Sequence, residues 1–218
     1  RLANELNVEV TVDYDKFGTA LIPHPELEIE VASARREEYE ANSRKPKVTY
    51  TTVEEDMSRR DFTINAIAAS ILPDSFGTLY DPFCGLKDLQ KGLIITPLDP
   101  DETFSDDPLR MLRAIRFAAQ LQYGVASTTL DSISRNVKRM EIISWERIRD
   151  EIIKSLKTDK PSIAFYLMKE TGLLGHVFPE LDIMSGVEVI DGKGHKDVFI
   201  HTLQVVDNAA KLTPNMNV

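Results

Sequence analysis

Ser105-Asp106-Asp107-Pro108-Leu109-Arg110-Met111-Leu112-Arg113-Ala114-Ile115-Arg116-Phe117 stands near the middle of the 218-residue chain. Ser105 suits a helix N-cap, the two aspartates suit the positive end of a helix dipole, and Pro108 is tolerated in a first turn. The stretch therefore predicts a helix beginning at Ser105. Asp107, Arg110 and Arg113 recur at a spacing that puts one carboxylate and two guanidiniums on neighbouring positions of one face. Leu109, Leu112, Ile115 and Ala119 are expected to form the buried side.

A carboxylate only accepts hydrogen bonds and a guanidinium only donates them. Together they complement a ring edge that shows an amino group beside a ring nitrogen, as cytosine and adenine do. Guanine and uracil put a carbonyl oxygen in place of that amino group, which leaves buried groups unpaired at a cost of ~1–3 kcal/mol each. Asp107 with Arg110 would then select C and A over G and U. The same residues also read as an ion pair within one helix, worth ~0.2–0.5 kcal/mol.

Outward from this stretch, Arg59-Arg60-Asp61-Phe62-Thr63-Ile64-Asn65-Ala66-Ile67-Ala68 lies upstream and Glu146-Arg147-Ile148-Arg149-Asp150-Glu151 downstream. In this order the blocks resemble the R-R-D, E-D-x-x-R and E-R-x-x-x-E motifs of the class II tRNA nucleotidyltransferase and bacterial poly(A) polymerase family. The resemblance runs from about Phe17 to Asn208. Asp106-Asp107 stands where the family has Glu-Asp, and Pro108 replaces the small residue that follows.

The resemblance implies an α+β chain. A polymerase-β-like nucleotidyltransferase palm is expected over 1–95, a helical neck that reads the base over 96–156, a helical body over 157–190 and the start of an HD domain over 191–218. It implies a template-independent RNA nucleotidyltransferase that adds CMP and AMP from CTP and ATP to the tRNA 3′ end, releasing pyrophosphate, with Mg²⁺ in a two-metal palm site. Within the family the alternative is a poly(A) polymerase or an A-only enzyme. From other classes come an HD-type metal-dependent phosphohydrolase and an inactive RNA-binding fragment.

The resemblance also assigns roles. Arg60 would meet triphosphate oxygens, Asp61 the ribose hydroxyls and Asn65 the sugar or a phosphate, while Asp107, Arg110 and Arg113 would bind the nucleotide. Glu146, Arg147 and Glu151 would support the base-reading helix, with Arg147 and Glu151, four apart, bracing one another. Glu30, in the strand Glu28-Ile29-Glu30-Val31, matches the third carboxylate of the palm metal site, with Glu28 on the same face. Asp13-Tyr14-Asp15 has the D-x-D spacing of a metal-binding pair. Phe17-Gly18-Thr19, however, resembles a segment that follows the family's D-x-D, so Asp13 and Asp15 read as strand-end and turn acids. The family's D-x-D and glycine-rich loop are then expected before Arg1. His201 reads as the first metal ligand of an incomplete HD site, since no later His-Asp pair precedes Val218.

Local patterns fill in the rest. Val8, Val10 and Val12, then Thr19 to Ile22, then Leu27, Ile29 and Val31 predict antiparallel sheet by their alternation. His24 and Pro25 interrupt it, and Arg35 to Lys47 reads as a charged loop. Thr52 predicts the cap of a helix carrying Arg59, Arg60 and Asp61. Asp81 to Leu89 reads as a turn and helix closing the sheet domain, with Cys84 in place of a family glycine. Thr96 to Pro100 reads as a linker, Ser144 as a cap and Gly172 as a helix end.

Composition, at 42% hydrophobic and 28% charged, is that of a soluble globular chain. No apolar run approaches the ~18 residues of a membrane span. The single cysteine, Cys84, excludes an internal disulfide and suits a cytoplasmic, reducing setting. A net charge of −9 argues against a surface that grips nucleic acid all over, but leaves room for a local contact to tRNA. Nothing in the sequence sets an oligomeric state.

Overall fold

The computed structural model describes residues 12–14, 19–23, 28–38, 47–186, 189–190, 193–194 and 197–212. The expectations for Val8, Val10, Asp15, Phe17 and Gly18 of the family-like segment, His24-Pro25, Leu27 and most of the charged loop lie outside them. The chain divides into two compact units, Arg1–Arg59 and Arg60–Val218.

In the first unit the expected alternation yields an antiparallel sheet. Strands β1 (Val12–Tyr14), β2 (Thr19–Pro23) and β3 (Glu28–Ala32) pair in the order β1-β2-β3. The register aligns Val12, Leu21 and Glu30 in one row. Asp13 falls in the next row, with Ala20 and Val31, so it is not aligned with Glu30. A second antiparallel pair joins β4 (Arg35–Glu38) to β5 (Lys47–Tyr50).

Helix α1 (Val53–Ser58) starts as expected, with Thr52 Oγ1 accepting from the Glu55 amide at 3.2 Å. It is tied to β4 because Asp56 Oδ1 accepts from the Arg35 amide at 3.1 Å and Arg59 Nε donates to the Arg35 carbonyl at 2.8 Å. The helix stops at Ser58, so Arg60 and Asp61 lie beyond it rather than on it.

The second unit is mainly helical. After one 3₁₀ turn at Thr63–Asn65 come a short antiparallel pair, β6 (Ala68–Ala69) and β7 (Leu79–Tyr80), then α2 (Gly85–Lys91) and β8 (Leu93–Ile94). Helices α3 (Pro100–Asp106) and α4 (Leu109–Leu121) follow, then β9 (Gly124–Val125), parallel to β8, and α5 (Ser127–Asn136). The chain continues through α6 (Trp145–Leu156), α7 (Ser162–Glu170), α8 (Leu174–Val177) and α9 (Pro179–Asp182). A short hairpin, β10 (Val189–Ile190) with β11 (Lys193–Gly194), precedes α10 (Val198–Leu212).

Helix α4 is the centre of this unit. The expected buried side, Leu109, Leu112, Ile115 and Ala119, is buried, and Met111, Ala114 and Ala118 bury a second side. One core joins α4 to Phe62, Ile94, Ile148 of α6, Phe165 and Met168 of α7, and Phe199 and Leu203 of α10. Residues 60–95, expected within the palm, thus share their core with the helices.

The central helix does not begin at Ser105. Two Asp-Pro steps punctuate this region, and each ends with a proline at the start of a helix. Asp99 caps α3 by accepting from the Asp101 amide at 2.8 Å. A residue before proline is steered away from the α region. Asp107 accordingly sits extended at φ −138°, ψ 99°, ending α3, and its Oδ1 accepts from the Leu109 amide at 3.2 Å. Ser105 is therefore in the last turn of α3, and Asp107 is at a junction between helices.

Candidate nucleotide-binding site

Asp61 is the meeting point of the upstream motif and the central helix. It is buried, at 8% exposure. Its Oδ2 accepts from Arg113 Nε at 2.8 Å and from Nη2, and its Oδ1 accepts from the Phe62 amide at 2.9 Å and from Asn65 Nδ2 at 3.0 Å. Charge-assisted bonds of this kind are the strong ones. Arg60 Nη1 donates to the Asn65 carbonyl at 3.3 Å. The structure therefore brings Arg60, Asp61, Asn65 and Arg113 together.

Three features hold the loop that carries Asp61. The Thr63 amide donates to the Ile95 carbonyl at 2.8 Å, and Thr63 Oγ1 donates to the buried Asp88 Oδ2 at 2.8 Å. Gly85 lets the Thr63 carbonyl approach so closely that a Cβ at this position would stand 2.1 Å from its oxygen. Asp81 caps α2, accepting from the Gly85 amide at 2.7 Å and the Leu86 amide at 2.9 Å. The Asp81–Leu89 segment thus does more than close a domain, since it sets the position of the upstream motif.

Asp107 and Arg110 do not pair as i, i+3 partners on one helix, because Asp107 is not on α4. Instead Asp107 Oδ2 accepts from Arg147 Nη2 at 2.9 Å, while Arg110 Nη1 donates to the Thr103 carbonyl at 3.4 Å. Arg147 and Glu151 likewise do not brace each other. Glu151 lies on the buried face of α6 with Ile148 and Ser155, where Oε2 accepts from Arg116 Nε at 2.6 Å and Oε1 from Lys154 Nζ at 2.9 Å. The buried Arg116 guanidinium facing it supplies the charge that offsets the cost of burying this carboxylate, while Lys154 reaches its other oxygen from the exposed side. Both motif residues still serve α4, from opposite ends. Glu146 is exposed in the first turn of α6.

Arg116 and Phe117 were not singled out from the sequence. Arg116 occupies an apolar slot in the series Leu109, Leu112, Arg116, Ala119, and an arginine in such a slot signals a buried partner. Its guanidinium lies 3.9 Å from the Phe117 ring centroid, and its Nη1 donates to Gln120 Oε1 at 2.6 Å.

Residues 1–95 match the family described as "Poly A polymerase head domain", and residues 123–184 match the one described as "Probable RNA and SrmB- binding site of polymerase A". A multifunctional CCA protein of Nitrosomonas europaea is 37% identical over 194 residues, 86% of this chain and 45% of that protein. This chain belongs to the CCA-adding and poly(A) polymerase family.

Among further members, a CCA-adding enzyme of Geobacillus kaustophilus is 38% identical over 170 residues, covering 77% of this chain and 41% of that one. The solved structure of a CCA-adding enzyme in apo form II aligns with a TM-score of 0.74 at 34% identity, covering 83% of this chain and 44% of that one. A tRNA nucleotidyltransferase solved with a primer tRNA and an incoming ATP analogue aligns with a TM-score of 0.70 at 30% identity, covering 84% and 52%. The chain thus spans about half the length of the relatives it matches.

The remaining family expectations concern metal. Glu30 is exposed on β3, and His201 is exposed on α10, where it lines a pocket with Asp197, Ile200 and Gln204. Among the described residues no three His, Cys, Asp or Glu side chains stand together as a metal-holding group. Helix α10, expected to open an HD domain, packs on α7, with Phe199 edge-on to Tyr166 at 5.9 Å and Asp207 Oδ1 accepting from the Ser162 amide at 2.9 Å. Among the described residues no helix is long and apolar enough to cross a membrane.

Proposed function

We propose that this chain carries the nucleotide-selecting part of a template-independent RNA nucleotidyltransferase that adds CMP and AMP from CTP and ATP to a tRNA 3′ end. The observation that carries the reading is the placement of Asp107. Its carboxylate is fixed at the mouth of α4 by the Leu109 amide and Arg147, one turn from Arg110. One acceptor and one donor group held there can match the amino and ring-nitrogen edge shared by cytosine and adenine.

In this reading Arg113 and Asn65, held by Asp61, face the sugar and phosphates, and Arg60 adds charge toward the triphosphate. Glu146, Arg147 and Glu151 keep α4 in place. Mg²⁺ belongs to the same reading, with Glu30 as one of the carboxylates a two-metal phosphoryl transfer needs. The lone Cys84 supports a reducing, cytoplasmic setting.

The test is primer extension on tRNA ending before C-C-A, with CTP, ATP, UTP and GTP offered singly and together. Ordered addition of C, C and A supports the reading, and incorporation of UTP or GTP at comparable rates refutes it. A second reading, poly(A) addition, is favoured by the head-domain match. Long A tracts in the same assay would select it.

A further inference from the structure

The Phe117 ring lies beside Arg113, Arg116 and Phe62. The Arg113 guanidinium carbon lies 5.5 Å from its centroid, that of Arg116 lies 3.9 Å from it, and Phe62 meets it edge-on at 5.7 Å and 82°. Arg113 donates to Asp61 Oδ2, and the amide of Phe62 donates to Asp61 Oδ1. Two guanidiniums near one ring would repel each other if left alone. Here each has its own carboxylate, Asp61 for Arg113 and Glu151 for Arg116. The ring lies beside both ion pairs and offers its electron-rich surface to their cations.

We propose that Phe117 is a positioning residue of the nucleotide site, holding the Arg113 guanidinium against Asp61 and the Asp61 loop against α4. This rests on the nucleotidyltransferase reading and extends it to a residue that touches no substrate. Leucine at this position keeps most of the bulk and removes the ring face, whereas tyrosine keeps the face. Arg113 would then sample orientations away from Asp61, and nucleotide capture would weaken more than turnover.

The experiment uses the full natural chain and its Phe117→Leu and Phe117→Tyr variants, assayed with CTP and ATP on tRNA lacking its tail. The expected result is a rise of about tenfold in nucleotide KM for Phe117→Leu with kcat within about threefold, and near wild-type values for Phe117→Tyr. An Arg113→Met background should reduce the Phe117→Leu effect to less than about twofold. KM unmoved in Phe117→Leu, or effects that simply multiply in the double variant, would overturn the proposal.

A readout independent of the reaction is the Arg113 Nε–H NMR resonance, which should move in Phe117→Leu and stay in place in Phe117→Tyr. An unmoved resonance in Phe117→Leu also overturns the proposal, even if that variant is too unstable to assay for turnover. A wild-type chain that adds no nucleotide would instead overturn the nucleotidyltransferase reading, and the site role of Phe117 with it.

Discussion

Glu151→Ala should destabilise the protein by about 3–5 kcal/mol, because it leaves the Arg116 guanidinium buried without its counter-charge. Both side chains are almost out of water, 9% exposed for Arg116 and 4% for Glu151. After the change Arg116 keeps Gln120 Oε1 and the Phe117 ring, neither of which carries negative charge. The loss of the Lys154 contact matters little, since that side chain is 54% exposed and water replaces its partner. For a chain of this size ~2–4 °C of Tm accompanies each kcal/mol, so the melting point should fall by about 6–20 °C. Thermal unfolding followed by circular dichroism measures this. Replacing both partners with apolar residues, Arg116→Met with Glu151→Leu, should recover most of the loss, because no isolated charge then remains. A fall of less than about 2 °C for Glu151→Ala, or a double variant no more stable than the single one, would refute the view that an uncompensated charge sets the cost.

Asp107→Ala should raise misincorporation of UTP and GTP relative to CTP and ATP by at least about tenfold, as one lost charged hydrogen-bond acceptor of ~1.5–3 kcal/mol implies; a fall in overall rate with selectivity intact would contradict the base-reading role. Gly85→Ala should cost about 3 kcal/mol or more, since its Cβ would meet the Thr63 carbonyl oxygen at 2.1 Å and push the Asp61 loop out of place; denaturant melts of the two proteins compare directly. Asp101 is held below the ordinary 3.8 by hydrogen bonds from Ser132, then from Arg135 and Asn136. A lowered folded-state pKa gives stability that is present above the unfolded value and lost as pH falls through the folded one. Stability should therefore decline below about pH 4, and Asp101→Asn should flatten that limb of the pH–stability curve, a result that urea melts between pH 2 and 6 can confirm or contradict.

The central helix and its buried side were legible because a 3.6-residue period of apolar side chains needs no partner to be recognised. The sheet of the first unit was legible from period-2 alternation, and the family from three short charged motifs at their spacings. The helix boundary was misplaced even though its cause is local. Asp107-Pro108 carries the signal of a break, because proline steers the preceding residue out of the α region, and the parallel with Asp99-Pro100 was there to be seen.

The pairing of charges was not legible. Sequence spacing suggested Asp107 with Arg110 and Arg147 with Glu151, partners three and four apart. The structure instead pairs Asp107 with Arg147, Asp61 with Arg113 and Arg116 with Glu151. The sequence by itself determined which residues carry charge near the central helix, where its apolar side lies and which family the chain resembles. Only the tertiary structure decided which charge meets which. Partner choice follows from which packed elements face one another and, for the buried Arg116–Glu151 pair, from desolvation, and neither is encoded in the distance between two residues along the chain.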